Sequence, residues 1–334
     1  MEFAQDFSFR PVTGIAHLIH FPFPEIANPL GALKDLPGTW AGTGFNTIWR
    51  PFNQPGQDRF LELDLTSETL RFDPIAGPIP NRGLLQPDMN MFGLTYMQQV
   101  KNSVLNAGIH IEPGIWAAVP QTTNPPVSPT VVRMASIPHG TTMLAQGEAF
   151  SLDGPPVIAN NNITPFSMAN GHLRPFPESN LAQPTQFRSP PAAIVGVTQT
   201  MVDNPNSVLQ AAIAGQTIKH TTVLRVSTVS TQNVHAGGTA NTAFLHGGIA
   251  GSNADAARVE ATFWIETVQG TQGLPDFLQL QYSQTVMLNF NTLSWPHVSV
   301  ATLRKVLSLH VLPQFIDPTI PVHLLPPDLH PQPT

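Results

Sequence analysis

Two histidines and a glutamate form the most concentrated set of donor atoms in the chain. His110 and Glu112 stand two apart in Ile109-His110-Ile111-Glu112, inside a stretch that alternates as a strand does, so both side chains share one face. With His139 they would make a His/Glu donor set of the kind that holds zinc. The competing reading is a structural hydrogen-bonded pair at the rim of a sheet, and we adopt it. His17 and His20, in a Phe/Pro-rich stretch, read as packing residues. His235 and His246, beside Gly237-Gly238 and Gly247-Gly248, read as solvated loop residues. The chain has no cysteine, which excludes disulfides, thiolate metal centres and a cysteine nucleophile. It carries no nucleophile elbow, no zincin helix and no phosphate-binding loop.

Five acids, Asp64, Glu112, Glu148, Glu260 and Glu266, fall on expected strands. Glu260 and Glu266 share a parity opposed by Phe263, Ile265 and Thr267, which turns the two glutamates outward. Trp40, Trp49, Trp116, Trp264 and Trp295 could line an apolar cavity, although packing is the commoner role of a tryptophan. Met89, Met91 and Met97 are gap-fillers by the same logic.

The elements that position these groups are mostly strands. Leu278, Leu280, Tyr282, Val286, Leu288 and Phe290 occupy one parity, and Gln279, Gln281, Ser283, Thr285 and Asn289 the other. That is one long strand with a single buried face. Shorter strands fit 60–65, 70–75, 93–100, 109–119, 131–137, 141–150, 222–229 and 259–268. About ten strands in sequence order, parted by Gly/Pro/Asn turns, predict an antiparallel up-and-down β-barrel, mainly β with a few short helices. Three helices are expected: after Asn28-Pro29 up to Pro37, after Asn204-Pro205 up to Gly215, and over Ser299–Leu309. With 35 prolines and 24 glycines, long helices are excluded. We read the 334 residues as one domain, with the barrel at about 30–310, an insertion at 151–200, an N-terminal arm at 1–29 and a proline-rich tail at 311–334.

Composition limits the partners. Lys+Arg number 15 and Asp+Glu 21, so 11% of residues are charged where about a quarter is usual. The net charge of −6 gives no basic footprint for nucleic acid. The start Met1-Glu2-Phe3-Ala4-Gln5-Asp6 lacks the basic character of a signal peptide, and no run approaches the roughly 20 apolar residues of a membrane span. The expectation is a cytoplasmic protein with a small-molecule ligand and neither a nucleic-acid nor a membrane partner.

Four segments resemble the nitrobindins, small heme-binding β-barrels similar in shape to fatty-acid-binding proteins and lipocalins. They are Gly38-Thr39-Trp40-Ala41-Gly42-Thr43-Gly44, His110-Ile111-Glu112-Pro113-Gly114-Ile115-Trp116, Pro138-His139-Gly140, and Trp295-Pro296-His297-Val298-Ser299-Val300-Ala301-Thr302-Leu303-Arg304-Lys305. The last looks like that family's closing helix, whose histidine is the axial heme ligand. The match covers about half of the chain, and the order within the third segment is altered.

The resemblance implies heme b bound through His297 as the metal ligand, with Trp40, Thr39, Trp295 and Arg304 as further cofactor-binding residues. One axial imidazole leaves the opposite face of the iron free for a small oxidant or nitrogen oxide. The implied activity is peroxynitrite isomerase or peroxidase-like chemistry, and Arg50, Arg133 and Arg304 are the positional candidates for the propionates. Two other readings need no heme: a carrier of an apolar, lipid-like molecule, or a cyclase or isomerase that uses the cavity for its shape.

Overall fold

The computed structural model describes residues 28–137, 139–231 and 234–306. Ten strands form the barrel: β1 Gly38–Gln54, β2 Gln57–Pro74, β3 Met89–Asn102, β4 Gly108–Val119, β5 Thr130–Ile137, β6 Thr141–Asp153, β7 Ile218–Ser227, β8 Asp255–Val268, β9 Phe277–Phe290 and β10 Leu293–Lys305. Each pairs antiparallel with its predecessor, and β1 pairs with β10 from Trp40↔Lys305 to Thr47↔Val298. The expected up-and-down barrel is therefore present and closed. Closure leaves the barrel without a free edge strand.

The seam between β1 and β10 depends on the glycines of the first motif. A Cβ added to Gly42 would stand 2.1 Å from the Thr302 carbonyl oxygen, and one on Gly44 the same distance from that of Val300. The two backbones approach more closely than any side chain permits.

The turns β1–β2, β3–β4, β5–β6, β7–β8 and β9–β10 lie at one end of the barrel, and the other connections at the opposite end. That opposite end is plugged. Asn28 Oδ1 accepts from the Leu30 N–H at 3.0 Å and starts a single 3₁₀ turn, Gly31–Leu33, where two turns of helix were expected. Leu33 and Leu36 are buried against Trp40, whose indole N–H donates to the Leu36 carbonyl at 2.8 Å. Above them the lower lumen is filled by Leu70, Phe72, Tyr96, Trp116, Phe263 and Leu280. Burying side chains of this size contributes about 1.5–3 kcal/mol each.

The expected helix over Ser299–Leu309 is a correction: the segment belongs to β10, and residues from 307 on lie outside the described ones. Val300 and Leu303 fit a helical stripe, but both faces of β10 are covered. Ala301 and Leu303 pack into the lumen while Val298 and Val300 pack outside. A strand apolar on both faces loses its alternation and imitates helical spacing.

The outer cover is the segment 154–217 between β6 and β7, longer than the expected 151–200. It contains α1 Gln199–Asp203 and α2 Ser207–Ile213, with Gly215 (φ +79°) ending the latter as expected. Under it a second core gathers Phe45, Trp49, Leu61, Leu209, Trp264 and Trp295. Gln279, Gln281 and Ser283, on the polar parity of β9, are consequently buried. Gln281 donates to the Leu209 carbonyl at 3.1 Å and Ser283 to Asn206 Oδ1 at 2.7 Å, so the cover takes up part of the hydrogen bonding of the polar groups it desolvates, while Gln281 Oε1 and Glu266 Oε1 stay unpaired.

Candidate functional site

The end of the barrel opposite the plug is hollow, with a cavity of about 590 Å³. Its wall is two-sided because neighbouring strands carry like residues at lumen-facing positions. β10, β1 and β2 present His297, Ser299, Asn46 and Asp64; β8 and β9 present Ala256, Val286 and Leu288. Ile137 and the short helix α3 (Ala243–His246), through Phe244 and Leu245, extend the apolar side. Glu68, Gln98 and Tyr282 form the floor, as the register places them deepest along their strands.

His297 faces this space. Its Nε2 lies 2.8 Å from Asn46 Oδ1, which also accepts the Ser299 hydroxyl at 2.6 Å. The surface it exposes is cavity surface. Desolvation there, with smaller contributions from His110 and His139, holds its pKa down at about 3, so the imidazole stays neutral. Arg50 at the rim is paired with Glu62 at 2.5 Å. Asp64 accepts from Asn102 at 2.7 Å, and burial raises its pKa despite that bond.

A charged network adjoins the cavity, which its members His110, His139 and Gln284 also line. Arg133 donates to Glu112 Oε1 at 2.5 Å, to Tyr96 at 2.9 Å and to Gln284 at 2.6 Å, and Tyr96 donates to the same Glu112 oxygen. Burial pushes Glu112 up, but Arg133 together with His110 and Tyr96 outweighs it and holds the carboxyl down at about 2. His110 bridges Glu112 Oε2 and His139 Nε2 at 3.3 Å each. Glu112 is thus committed to Arg133 and Tyr96, which fits the structural pair rather than a metal ligand. Among the described residues no group of three or more His, Asp or Glu is placed to hold a metal ion.

Of the five residues tied to a heme by resemblance, the structure brings one to the cavity, His297. Trp40 is in the plug. Thr39 is on the opposite parity of β1, where its carbonyl accepts from Val306. Trp295 is stacked against Phe290 and Phe176 beneath the outer cover. Arg304 lies over the Phe277 ring on the outside. None of the five tryptophans lines the cavity. His235 bonds Ser230 in a loop and His246 is exposed, whereas His17 and His20 lie outside the described residues.

Sequence reasoning missed Asn46, Ser299, Glu68, Gln98 and Tyr282. Their only signal was polar residues recurring at lumen parity on neighbouring strands, which is unreadable until the closure of β1 on β10 is known. Among the described residues, no helix is long and apolar enough to cross a membrane.

No protein-family profile matches the chain, and no curated protein matches it in sequence. Among solved structures, Rv2717c from M. tuberculosis aligns at 14% identity over 84% of this chain and 100% of that chain, with a TM-score of 0.39. These comparisons assign the chain to no family.

Proposed function

We propose that the protein binds one small, mainly apolar molecule in the upper lumen, oriented by the polar stripe of β10, β1 and β2. The observation that carries this reading is the two-sided cavity of about 590 Å³ inside a closed barrel, within the range of small-molecule sites. Glu62, Asp64 and Glu68 line it, and its one lining arginine is already paired, so a neutral ligand suits it better than an anionic one. Ser299 and His297 both turn to Asn46 Oδ1 and are 3.5 Å apart, which is not a nucleophile–base pair. The reading is therefore a carrier, or an enzyme that holds its substrate by shape.

The test is titration with the neutral fluorophore N-phenyl-1-naphthylamine. One molecule should bind per chain, and Val286→Trp, which fills the cavity, should abolish binding. Undiminished binding to that variant would place the probe elsewhere and overturn the reading.

Heme is a second reading, favoured by one observation: a neutral imidazole on the cavity wall is a competent iron ligand. A heme bound there would supply an iron open to a small oxidant or nitrogen oxide, the chemistry of a peroxynitrite isomerase or peroxidase. The donor set fits at the axial position but not at the propionates, since Arg50 pairs with Glu62, Arg133 with Glu112, and Arg304 is outside. Hemin titration separates the two readings. A Soret shift that disappears in His297→Ala, and partly returns with free imidazole, supports heme; no shift in the wild type rejects it.

A further inference from the structure

The cavity floor holds a buried carboxyl with no cation. Glu68 is 4% exposed, and among the described residues no lysine, arginine or histidine lies within ion-pair distance of it. Its partners are all neutral: Thr66 donates to Oε1 at 2.7 Å, and Tyr282 Oη and Gln98 Nε2 lie 2.6 and 3.3 Å from Oε2. Gln98 Nε2 also donates to Tyr282 Oη at 2.9 Å. An isolated carboxylate at such a site is costly, which favours the protonated form. Burial indeed raises its pKa, against the pull of its three hydrogen bonds and of His110 on β4. Arg133 on β5, whose charge reaches Tyr282, is committed to Glu112. Higher on β2, Glu62 is paired with Arg50 and Asp64 offers no positive charge.

Tyr282 Oη donates to the carboxylate form of Glu68, but a protonated Glu68 has a proton of its own to place, and its near neighbour is that same Oη. A phenol hydroxyl both donates and accepts. If Glu68 Oε2–H and Gln98 N–H both donate to it, the phenol's own proton is left without a partner on the floor and is directed into the cavity. We propose that Tyr282 Oη, backed by Glu68 and Gln98, is a hydrogen-bond donor site for a carbonyl oxygen, and that the ligand is an apolar ketone or aldehyde. This rests on the cavity reading and deepens it. A carboxylic acid held neutral by its apolar site beside a tyrosine is an established way to receive a carbonyl or its enolate. A carboxylate ligand would meet Asp64 on entry, whereas a ketone would meet the apolar side of the cavity and the donor on its floor.

The experiment compares two probes that differ at one carbon: 6-propionyl-2-(dimethylamino)naphthalene, whose emission moves to the red when its carbonyl accepts a hydrogen bond, and the 6-propyl compound. Wild-type protein should prefer the ketone roughly tenfold, the gain of one well-made hydrogen bond, with red-shifted emission. Tyr282→Phe should lose both the preference and the shift while binding the propyl compound as before, which also shows that the variant is folded. Glu68→Gln, whose amide still donates to Tyr282 Oη, should keep the preference. Equal affinities in the wild type, or a preference that survives Tyr282→Phe, would overturn the carbonyl site while leaving the cavity reading in place. Failure of both probes to bind would overturn the cavity reading, and this site with it.

Discussion

His297 Nε2 lies 2.8 Å from Asn46 Oδ1 across the seam at which the barrel closes. Asn46 is in direct register with Ser299, two residues from His297, so the bond ties the first strand to the last inside the cavity. With the oxygen as acceptor, Nε2 carries the imidazole proton and Nδ1 the lone pair, an assignment that follows from the hydrogen bonding.

That imidazole should not titrate near neutrality. With a folded pKa of about 3 and an ordinary value of 6.5, the unfolded chain binds a proton below about pH 6.5 that the folded chain refuses. Stability then falls as pH drops from 6.5 toward 3, by on the order of 2 kcal/mol at pH 4.5 from this residue. Urea unfolding at pH 7 and 4.5 should show a smaller acid loss in His297→Gln than in the wild type. An NMR titration of the His297 ring between pH 5 and 8 should be flat; a midpoint near 6.5 refutes the assignment.

Glu266 gives the opposite dependence. It is buried on the outer face of β8 beneath the 154–217 cover, where Gln279 donates to Oε2 at 2.7 Å and Oε1 has no partner. Burial raises its pKa to about 7, against the Gln279 bond. Between about pH 4.5 and 7 the unfolded chain gives up a proton that the folded chain keeps, so stability falls as pH rises through that window. Glu266→Gln should therefore stabilise the protein at pH 8 relative to pH 5, by roughly 2–3 kcal/mol. Parallel pH profiles for the two proteins would contradict it.

Trp40→Ala should cost about 3–5 kcal/mol, because it empties the plug and strands the Leu36 carbonyl. Chemical denaturation reads this directly. A loss below about 1 kcal/mol would mean that the plug collapses around the gap.

Gly42→Val tests the seam. Its side chain would meet the Thr302 carbonyl and the Leu303 Cα, both backbone atoms, so relief requires parting β1 from β10. A loss of about 3 kcal/mol or more is expected, together with faster amide exchange along Thr302–Lys305. Wild-type stability would show that the close approach is relieved cheaply.

Strand parity and turn residues determined much of this protein by themselves. The alternation of Leu278–Phe290 and the Gly/Pro/Asn breaks were enough for an antiparallel barrel, because hydrophobic period and turn chemistry are local properties. The capping signals at Asn28-Pro29 and Asn204-Pro205 marked real turns for the same reason. His110 and Glu112 were correctly paired, since residues two apart on a strand must share a face.

What only the tertiary structure decided depends on contacts distant in sequence. β10 reads as a helix because the lumen buries one of its faces and the 154–217 cover the other, and both faces carry apolar residues there, whereas β9 keeps its alternation by placing polar residues under the cover. The outward turn of Glu266 was legible, but its burial was not, because the cover that desolvates it arrives from some 50 residues away in the chain. The cavity itself joins Asn46 to His297 and Glu68 to Tyr282, pairs more than 200 residues apart. Polar residues so separated become one site only when the sheet closes, and closure is a property of the whole sheet rather than of any segment in it.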